Sequence, residues 1–203
     1  MTSGAKIRTE LRALGLALLL LAAAPAWAFG LPELMAQLAR RSSGEARFSE
    51  QRFVKGLDEP LVSSGTLSFA APDRFARRTL QPRPESMVVE GNTVTFSRGG
   101  RSRSLTLDAS PEAVIAVEAV RGTLTGNAQV LQKHFRTRLT GDAERWTLEL
   151  TPIDGSAAGS LRNVRVSGRR DEVLQVETQL LDGDRTLMTI DPVRGGAPAA
   201  SAP

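Results

Sequence analysis

Apolar residues recur at two different spacings along the chain, and the spacing changes just after residue 42. Over residues 31–40 they fall at the i, i+3, i+4 and i+7 positions of an amphipathic helix, and Pro32 stands in the first turn, where helices tolerate it. Beyond residues 42–44 the pattern becomes the two-residue alternation of half-buried strands. We therefore predict an N-terminal helix followed by a mainly β domain.

Short alternating segments occupy most of the remaining chain, and Gly-, Asp- or Pro-bearing turns separate them. A Gly-Asn turn at residues 91–92 predicts a hairpin. Strands at such short spacing favour an antiparallel sheet that either meanders or closes into a barrel. The predicted strands are residues 46–55, 65–69, 75–80, 87–89, 94–96, 105–107, 136–139, 146–151, 161–166, 173–180 and 186–190.

One segment in the middle of the chain interrupts the strands. Residues 110–120 open with Ser-Pro-Glu, a helix cap followed by Pro at the first helical position, and continue with apolar residues at helical spacing. A further short helical turn is predicted within residues 124–131. The architecture expected from the pattern is one long antiparallel sheet whose helices can cover an open face of its curve.

The N-terminus has the pattern of a cleavable secretory signal. A basic start precedes an uncharged apolar stretch at residues 13–24, and a small-x-small pattern ends at Ala28. This stretch is shorter than the roughly 20 residues that span a bilayer, which favours cleavage after Ala28 over an uncleaved anchor. The expected organisation is a signal peptide (1–28), a soluble extracytoplasmic domain (29–192) and a disordered Gly/Ala/Pro tail (193–203).

Composition narrows the function further. The formal net charge of +4 includes a basic signal segment, so the expected mature domain is only slightly basic and lacks the concentrated basic face of a nucleic-acid-binding protein. There is no Cys. Disulfides, cysteine chemistry and lipid attachment of this chain at a cleavage-site Cys are therefore excluded.

Catalytic and metal-binding patterns are weak. The single His134 has no partners at metal-ligand spacing, and the sequence holds no Gly-x-Ser-x-Gly elbow. The Asp-Gly-Asp at residues 182–184 lacks the longer ligand series of a calcium loop and fits a turn between strands better. We expect a non-enzymatic protein without cofactor or metal that binds by shape. The alternation alone leaves a filled barrel and a hollow one open, with the filled barrel as the default.

Several motifs follow one another in an order and spacing that resemble the periplasmic outer-membrane lipoprotein carrier family (LolA-like). The resemblance covers residues 31–97 and continues without strong motifs to Pro192. The motifs are Phe48-Ser49-Glu50-Gln51, Ser63-Ser64-Gly65-Thr66-Leu67, Pro72-Asp73-Arg74-Phe75 and Glu90-Gly91-Asn92.

The resemblance implies an incomplete antiparallel β-barrel with a helical lid over a hydrophobic cavity. It also implies a monomeric periplasmic carrier that shields the acyl chains of a lipoprotein or of another acylated lipid. The cargo would come from an inner-membrane ABC-type release complex and pass to an outer-membrane acceptor. The alternative is a sensor or adaptor of the same fold that binds a partner protein through a sheet edge.

Two positions depart from the family pattern. Ala71 stands where the well-known carriers have an Arg that helps to hold the lid, and Arg77 stands where an aromatic residue is usual. We therefore expect a divergent member with a more polar cavity mouth, whose cargo is an acyl or aryl lipid other than lipoprotein.

The resemblance assigns roles by position. The expected cavity wall is Leu67, Phe69, Phe75, Met87, Val89, Val94, Phe96, Trp146 and Leu148. The expected lid is Leu31, Leu34, Met35 and Leu38 in the first helix and Val114, Ile115 and Val117 in the second.

Overall fold

A computed structural model describes residues 29–155 and 159–193. The predicted signal peptide lies outside the described residues, as does the predicted tail except for Val193. The helices are α1 Leu31–Leu38, α2 Pro111–Leu124 and α3 Ala128–His134. The strands are β1 Ser43–Phe53, β2 Leu61–Ala70, β3 Arg74–Gln81, β4 Glu85–Glu90, β5 Thr93–Arg98, β6 Arg101–Thr106, β7 Phe135–Gly141, β8 Trp146–Pro152, β9 Leu161–Arg169, β10 Glu172–Leu180 and β11 Arg185–Pro192.

All eleven of these strands belong to one antiparallel sheet in the order β6-β5-β4-β3-β2-β1-β11-β10-β9-β8-β7. Its two edges, β6 and β7, are not joined to each other, so the sheet is not closed into a barrel. The N-terminal strand β1 and the C-terminal strand β11 pair with each other at the centre of the order. The predicted mainly β fold, an incomplete barrel with helices, is confirmed.

The sheet is strongly curved. Met87 on β4 and Val166 on β9 line the same cavity, of about 280 Å³. These strands are six positions apart in the sheet order, which corresponds to roughly 29 Å along a flat sheet at about 4.8 Å per strand. A cavity of that volume can touch both strands only if the sheet curls around it.

At the start of each helix a side chain accepts a hydrogen bond from a backbone N–H group. The Glu33 carboxylate accepts from the Gly30 N–H (3.0 Å), and the Ser110 hydroxyl accepts from the Ala113 N–H (3.3 Å). The Asn127 side chain accepts from the Val130 N–H (3.1 Å). The short helical turn predicted within residues 124–131 therefore starts later, as α3, because Asn127 caps it.

Buried apolar side chains form two separate clusters on the helix side of the sheet. α2 contacts both of them, because Ile115 and Ala119 face one cluster and Val117 faces the other. We call the larger one the packed core: Leu34, Met35, Leu38, Ile115, Ala119, Leu131, Phe135, Trp146, Leu148, Leu150, Val164 and Val166. We call the smaller one the hairpin cluster: Val89, Val94, Leu107 and Val117.

Candidate ligand-binding cavity

An apolar cavity of about 280 Å³ lies between the two clusters, beneath the C-terminal half of α2. Its volume is just below the range typical of ligand pockets, roughly 300–1,000 Å³. Its apolar lining comes from nearly all the central strands and from two helices. These residues are Leu38, Ala46, Leu67, Phe69, Phe75, Ala76, Met87, Ala119, Val120, Leu124, Val164, Val166, Val173, Val176, Met188, Ile190 and Pro192.

Strand register explains why these side chains meet. Ala46 on β1 stands opposite Leu67 on β2 and opposite Pro192 on β11, and all three line the cavity. Directly opposed residues of neighbouring strands project to the same face. Since Gly44 and Ala46 are small, the centre of the sheet leaves space that larger side chains would fill. The cavity therefore exists because β1, the central strand of the sheet, has small residues at these positions.

The structure places the nine expected wall residues in four different surroundings. Leu67, Phe69, Phe75 and Met87 line the cavity. Val89 and Val94 are buried under α2 in the hairpin cluster. Trp146 and Leu148 are buried in the packed core, away from the cavity lining. Phe96, which is 45% exposed, lies near the open edge of the sheet.

The expected lid residues are all on helices that cover the sheet. Leu34, Met35 and Leu38 of α1 are buried in the packed core, with Leu31 packed against it, and Leu38 also lines the cavity. Ile115 and Val117 of α2 are buried, and Val114 is partly buried beside the hairpin cluster. The part of α2 that roofs the cavity starts further along, at Ala119. The predicted helix, which ended at Val120, includes only the first two residues of this part and leaves out Thr123 and Leu124.

One wall residue, Arg77, belongs to an ion pair with Glu50 that sequence reasoning did not identify. The Arg77 Nη1 and Nη2 atoms donate to the two carboxylate oxygens of Glu50, each at 2.8 Å. Ser63 Oγ lies within 3.4 Å of both side chains, and the Arg77 guanidinium lies 4.5 Å from the centroid of the Phe48 ring. The sequence does contain one indication that Arg77 lies in the wall. Arg77 is two residues after Phe75, an expected wall residue, and residues two apart on a strand project to the same face.

The rim of the cavity has a second ion pair. Arg41, which follows α1, donates from Nη2 to the Asp171 carboxylate at 3.1 Å and lies 3.5 Å from Glu172. All three residues line the cavity, and the Arg41 and Asp171 side chains are about one-third exposed. The pair bridges the loop after α1 and the start of β10 across the mouth.

Arg121 fastens α2 to the sheet. Its Nη2 donates to the Gly91 carbonyl in the β4–β5 turn, and its Nη1 donates to Glu118, both at 2.6 Å. Its Nε atom is buried without a hydrogen-bond partner among the described residues. The contact with Gly91 joins a helix that covers the sheet to the turn between β4 and β5.

Other chemistry is sparse in the part of the chain that the structure describes. No cluster of three or more His, Cys, Asp or Glu side chains there is arranged to hold a metal ion, and no helix there is long and apolar enough to cross a membrane. His134 is half-buried at the end of α3, directly before β7. Asp184 belongs to a turn, where its carboxylate accepts the Lys55 N–H at 3.0 Å.

Several solved structures are similar to this chain at low sequence identity. A LolA superfamily protein from Nitrosomonas europaea is 10% identical, with a TM-score of 0.43, over 82% of this chain and 93% of that one. The MucA/MucB complex of Pseudomonas aeruginosa matches at 19% identity and a TM-score of 0.47, over 85% of this chain and 61% of that one. The Mycobacterium tuberculosis lipoprotein LppX matches at 11% identity and a TM-score of 0.38, over 82% and 98%.

No curated protein matches the chain at the level of sequence. A family model described as "Outer membrane lipoprotein carrier protein LolA-like" matches residues 23–202. That range includes every helix and strand described above and extends well beyond the motifs at residues 31–97. The chain therefore belongs to the outer membrane lipoprotein carrier protein LolA-like family.

Proposed function

We propose that this protein is a periplasmic carrier that shields the acyl chains of a lipoprotein, or of another acylated lipid, between the inner and outer membranes. The observation that supports the proposal is the apolar cavity between an open sheet and its helices. An ordinary structural core would fill this space, because protein interiors normally pack with few voids larger than a water molecule.

A carrier of this kind works by keeping hydrocarbon out of water. Each exposed methylene costs about 0.8 kcal/mol in water, so a free acyl chain does not cross an aqueous compartment unshielded. The cavity, at about 280 Å³, has room for part of a chain. Larger cargo requires α1 and α2 to move outward and to exchange their contacts with the sheet for contacts with the ligand.

The transfer route forms part of the proposal. The chain would be exported by its signal peptide, would accept cargo from an inner-membrane ABC-type release complex and would pass it to an outer-membrane acceptor. The rim pair Arg41–Asp171 and the contact between Arg121 and the Gly91 carbonyl are the polar contacts that opening would disturb. Both contacts would form again when the helices close after the cargo leaves.

Native mass spectrometry with lipid extraction tests the proposal on residues 29–203 purified from a periplasmic fraction. We expect a stoichiometric acyl-bearing species and uptake of a fluorescent hydrophobic probe that added acyl ligand displaces. A clean apo mass together with refusal of the probe would contradict the carrier function.

Two neighbouring positions on β1 provide a matched pair of variants. Ala46 lines the cavity, whereas Arg47 is exposed on the opposite face of the same strand. Ala46→Phe should fill the cavity and abolish probe uptake, and Arg47→Phe should leave uptake unchanged. Equal uptake by the two variants would show that the probe binds elsewhere.

A second candidate function, a sensor or adaptor that binds a partner protein, is favoured by the free edge of the sheet. All six residues of β6 are exposed, and β6 has a strand neighbour on one side only. Such an edge can accept an added strand from a partner. This function predicts peptide binding that the Ala46→Phe variant retains.

A further inference from the structure

The Arg77–Glu50 ion pair places one charged side chain, that of Arg77, in the wall of an apolar cavity. Its side chains are only 26% and 14% exposed, and the other cavity-lining residues of β3 and β4 on this face, Phe75 and Met87, are apolar. A buried ion pair rarely stabilises a fold more than apolar residues of the same size would, because both charges lose their water. The pair therefore calls for an explanation other than stability.

The sheet makes room for the pair. Between Arg77 on β3 and Glu50 on β1 lies β2, where Gly65 stands opposite Phe48. A Cβ atom at Gly65 would lie only 2.9 Å from the Phe48 ring, so the absent side chain lets that ring settle against the sheet. The guanidinium then lies over the ring and reaches Glu50 across β2.

Arg77 keeps unused donors. A guanidinium has five N–H groups. Two of them bind Glu50, and a third, from Nη2, points to Ser63 Oγ at 3.4 Å. The remaining two N–H groups have no acceptor among the described residues, and Arg77 is one of the residues that line the cavity. An oxygen atom of a ligand can therefore complete the hydrogen bonding of Arg77.

The charge balance between Arg77 and Glu50 determines which kind of ligand oxygen Arg77 can bind. Glu50 already balances the charge of Arg77, so a ligand carboxylate would leave a net negative charge inside an apolar cavity, which is costly. An uncharged carbonyl or hydroxyl oxygen accepts the same N–H groups without adding charge.

We propose that Arg77, balanced by Glu50, recognises an uncharged ester or amide oxygen of an acylated ligand and discriminates against free fatty acid. This inference rests on the proposed carrier function and names its ligand class. The ligand would present an acyl chain that is still linked through its carbonyl to a larger molecule.

Displacement of a fluorescent hydrophobic probe at neutral pH tests the inference with glycerol monolaurate, laurate and dodecane as competitors. Arg77→Met should lower the affinity for the ester relative to dodecane about tenfold, the usual scale for one hydrogen bond to a charged group. Glu50→Gln leaves Arg77 with an unbalanced charge. It should raise the affinity for laurate relative to the ester by a similar factor, about tenfold.

Glu177→Gln is the matched control, because Glu177 pairs with Arg165 and Arg185 and does not line the cavity. Its affinity ratios should equal those of the unmodified protein. Unchanged ratios in both the Arg77→Met and Glu50→Gln variants would overturn the inference while leaving the carrier function intact. Should Arg77→Met fail to fold, the Glu50→Gln ratio decides alone. Failure of the unmodified protein to take up the probe would instead refute the carrier function.

Discussion

Both halves of the sheet alternate apolar and polar residues along their strands. One half packs into a filled core, whereas the other half leaves a cavity. In the packed core, Phe135, Trp146, Leu148 and Leu150 are at most 1% exposed. In the cavity half, by contrast, the inward residues Leu67, Phe69 and Met188 are only partly buried.

The difference lies in what faces the sheet. Leu34 and Leu131, from α1 and α3, are completely buried against the packed core. Over the cavity, α2 presents the small residues Ala119 and Thr123 beside Val120 and Leu124, and the central strand β1 presents Gly44 and Ala46. Hollowness is therefore set by a few small residues on opposing surfaces and not by the overall hydrophobicity of the strands.

Replacing one aromatic residue in each half should separate the two regions most strongly. Trp146→Ala removes a buried ring whose Nε1 donates to the Arg170 carbonyl at 2.8 Å, and should lower the free energy of unfolding by about 3–5 kcal/mol. Phe69→Ala, beside existing empty space, should cost about 2 kcal/mol or less. Chemical denaturation measures both, and equal losses would mean that the two halves are equally well packed.

Adding a methyl group at Gly65 tests how tightly β2 packs against Phe48 and the neighbouring strand β3. A Cβ atom at Gly65 would lie 2.0 Å from the Arg78 carbonyl oxygen, so Gly65→Ala must shift backbone and should destabilise the fold by about 1–3 kcal/mol. Gly155→Ala is the control, since nothing lies within 4 Å of a Cβ atom there. A neutral Gly65→Ala would show that β2 has freedom that the packing does not indicate.

Removing the contact between α2 and the β4–β5 turn should loosen the cover without unfolding the sheet. Arg121→Gln loses the bond to the Gly91 carbonyl, and α2 amides should exchange hydrogen about tenfold faster, as expected for a contribution of about 1–2 kcal/mol. Arg136→Gln, at an exposed position on β7, is the control. Exchange that stays equal in the two variants would mean that apolar packing alone holds α2.

The rim pair should show the smallest effect on stability. Because the Arg41 and Asp171 side chains are about one-third exposed, Arg41→Gln should change the free energy of unfolding by only about 0.5 kcal/mol. The same variant should release bound probe faster, because the mouth loses its bridge. Stopped-flow release measures this, with Arg47→Gln as the control, and an unchanged release rate would exclude the rim as a barrier.

Local patterns predicted the Gly-Asn hairpin, the Ser-Pro start of α2 and the approximate positions of most strands. The strand predicted at residues 105–107 was misplaced, because β6 is Arg101–Thr106 and Leu107 begins a short 3-10 helix. Local patterns could not predict which inward face is hollow. Trp146 and Leu67 occupy equivalent alternating positions, yet one is in the packed core and the other lines the cavity. Their surroundings depend on partners distant in sequence, as when Ala46 meets Pro192. The Arg77–Glu50 pair was hidden for the same reason, since 27 residues separate its members.

The central position of β11 has a consequence for how the chain is made. β11 pairs with β1 on one side and with β10 on the other, so the last described strand to be synthesised completes the middle of the sheet. Met188 and Ile190 of that strand line the cavity. A nascent chain therefore cannot form the cavity, however much of its N-terminal sheet has already paired. Because such non-local pairing is slow, the newly synthesised protein passes through a period in which the wall of the cavity exists only in separate parts.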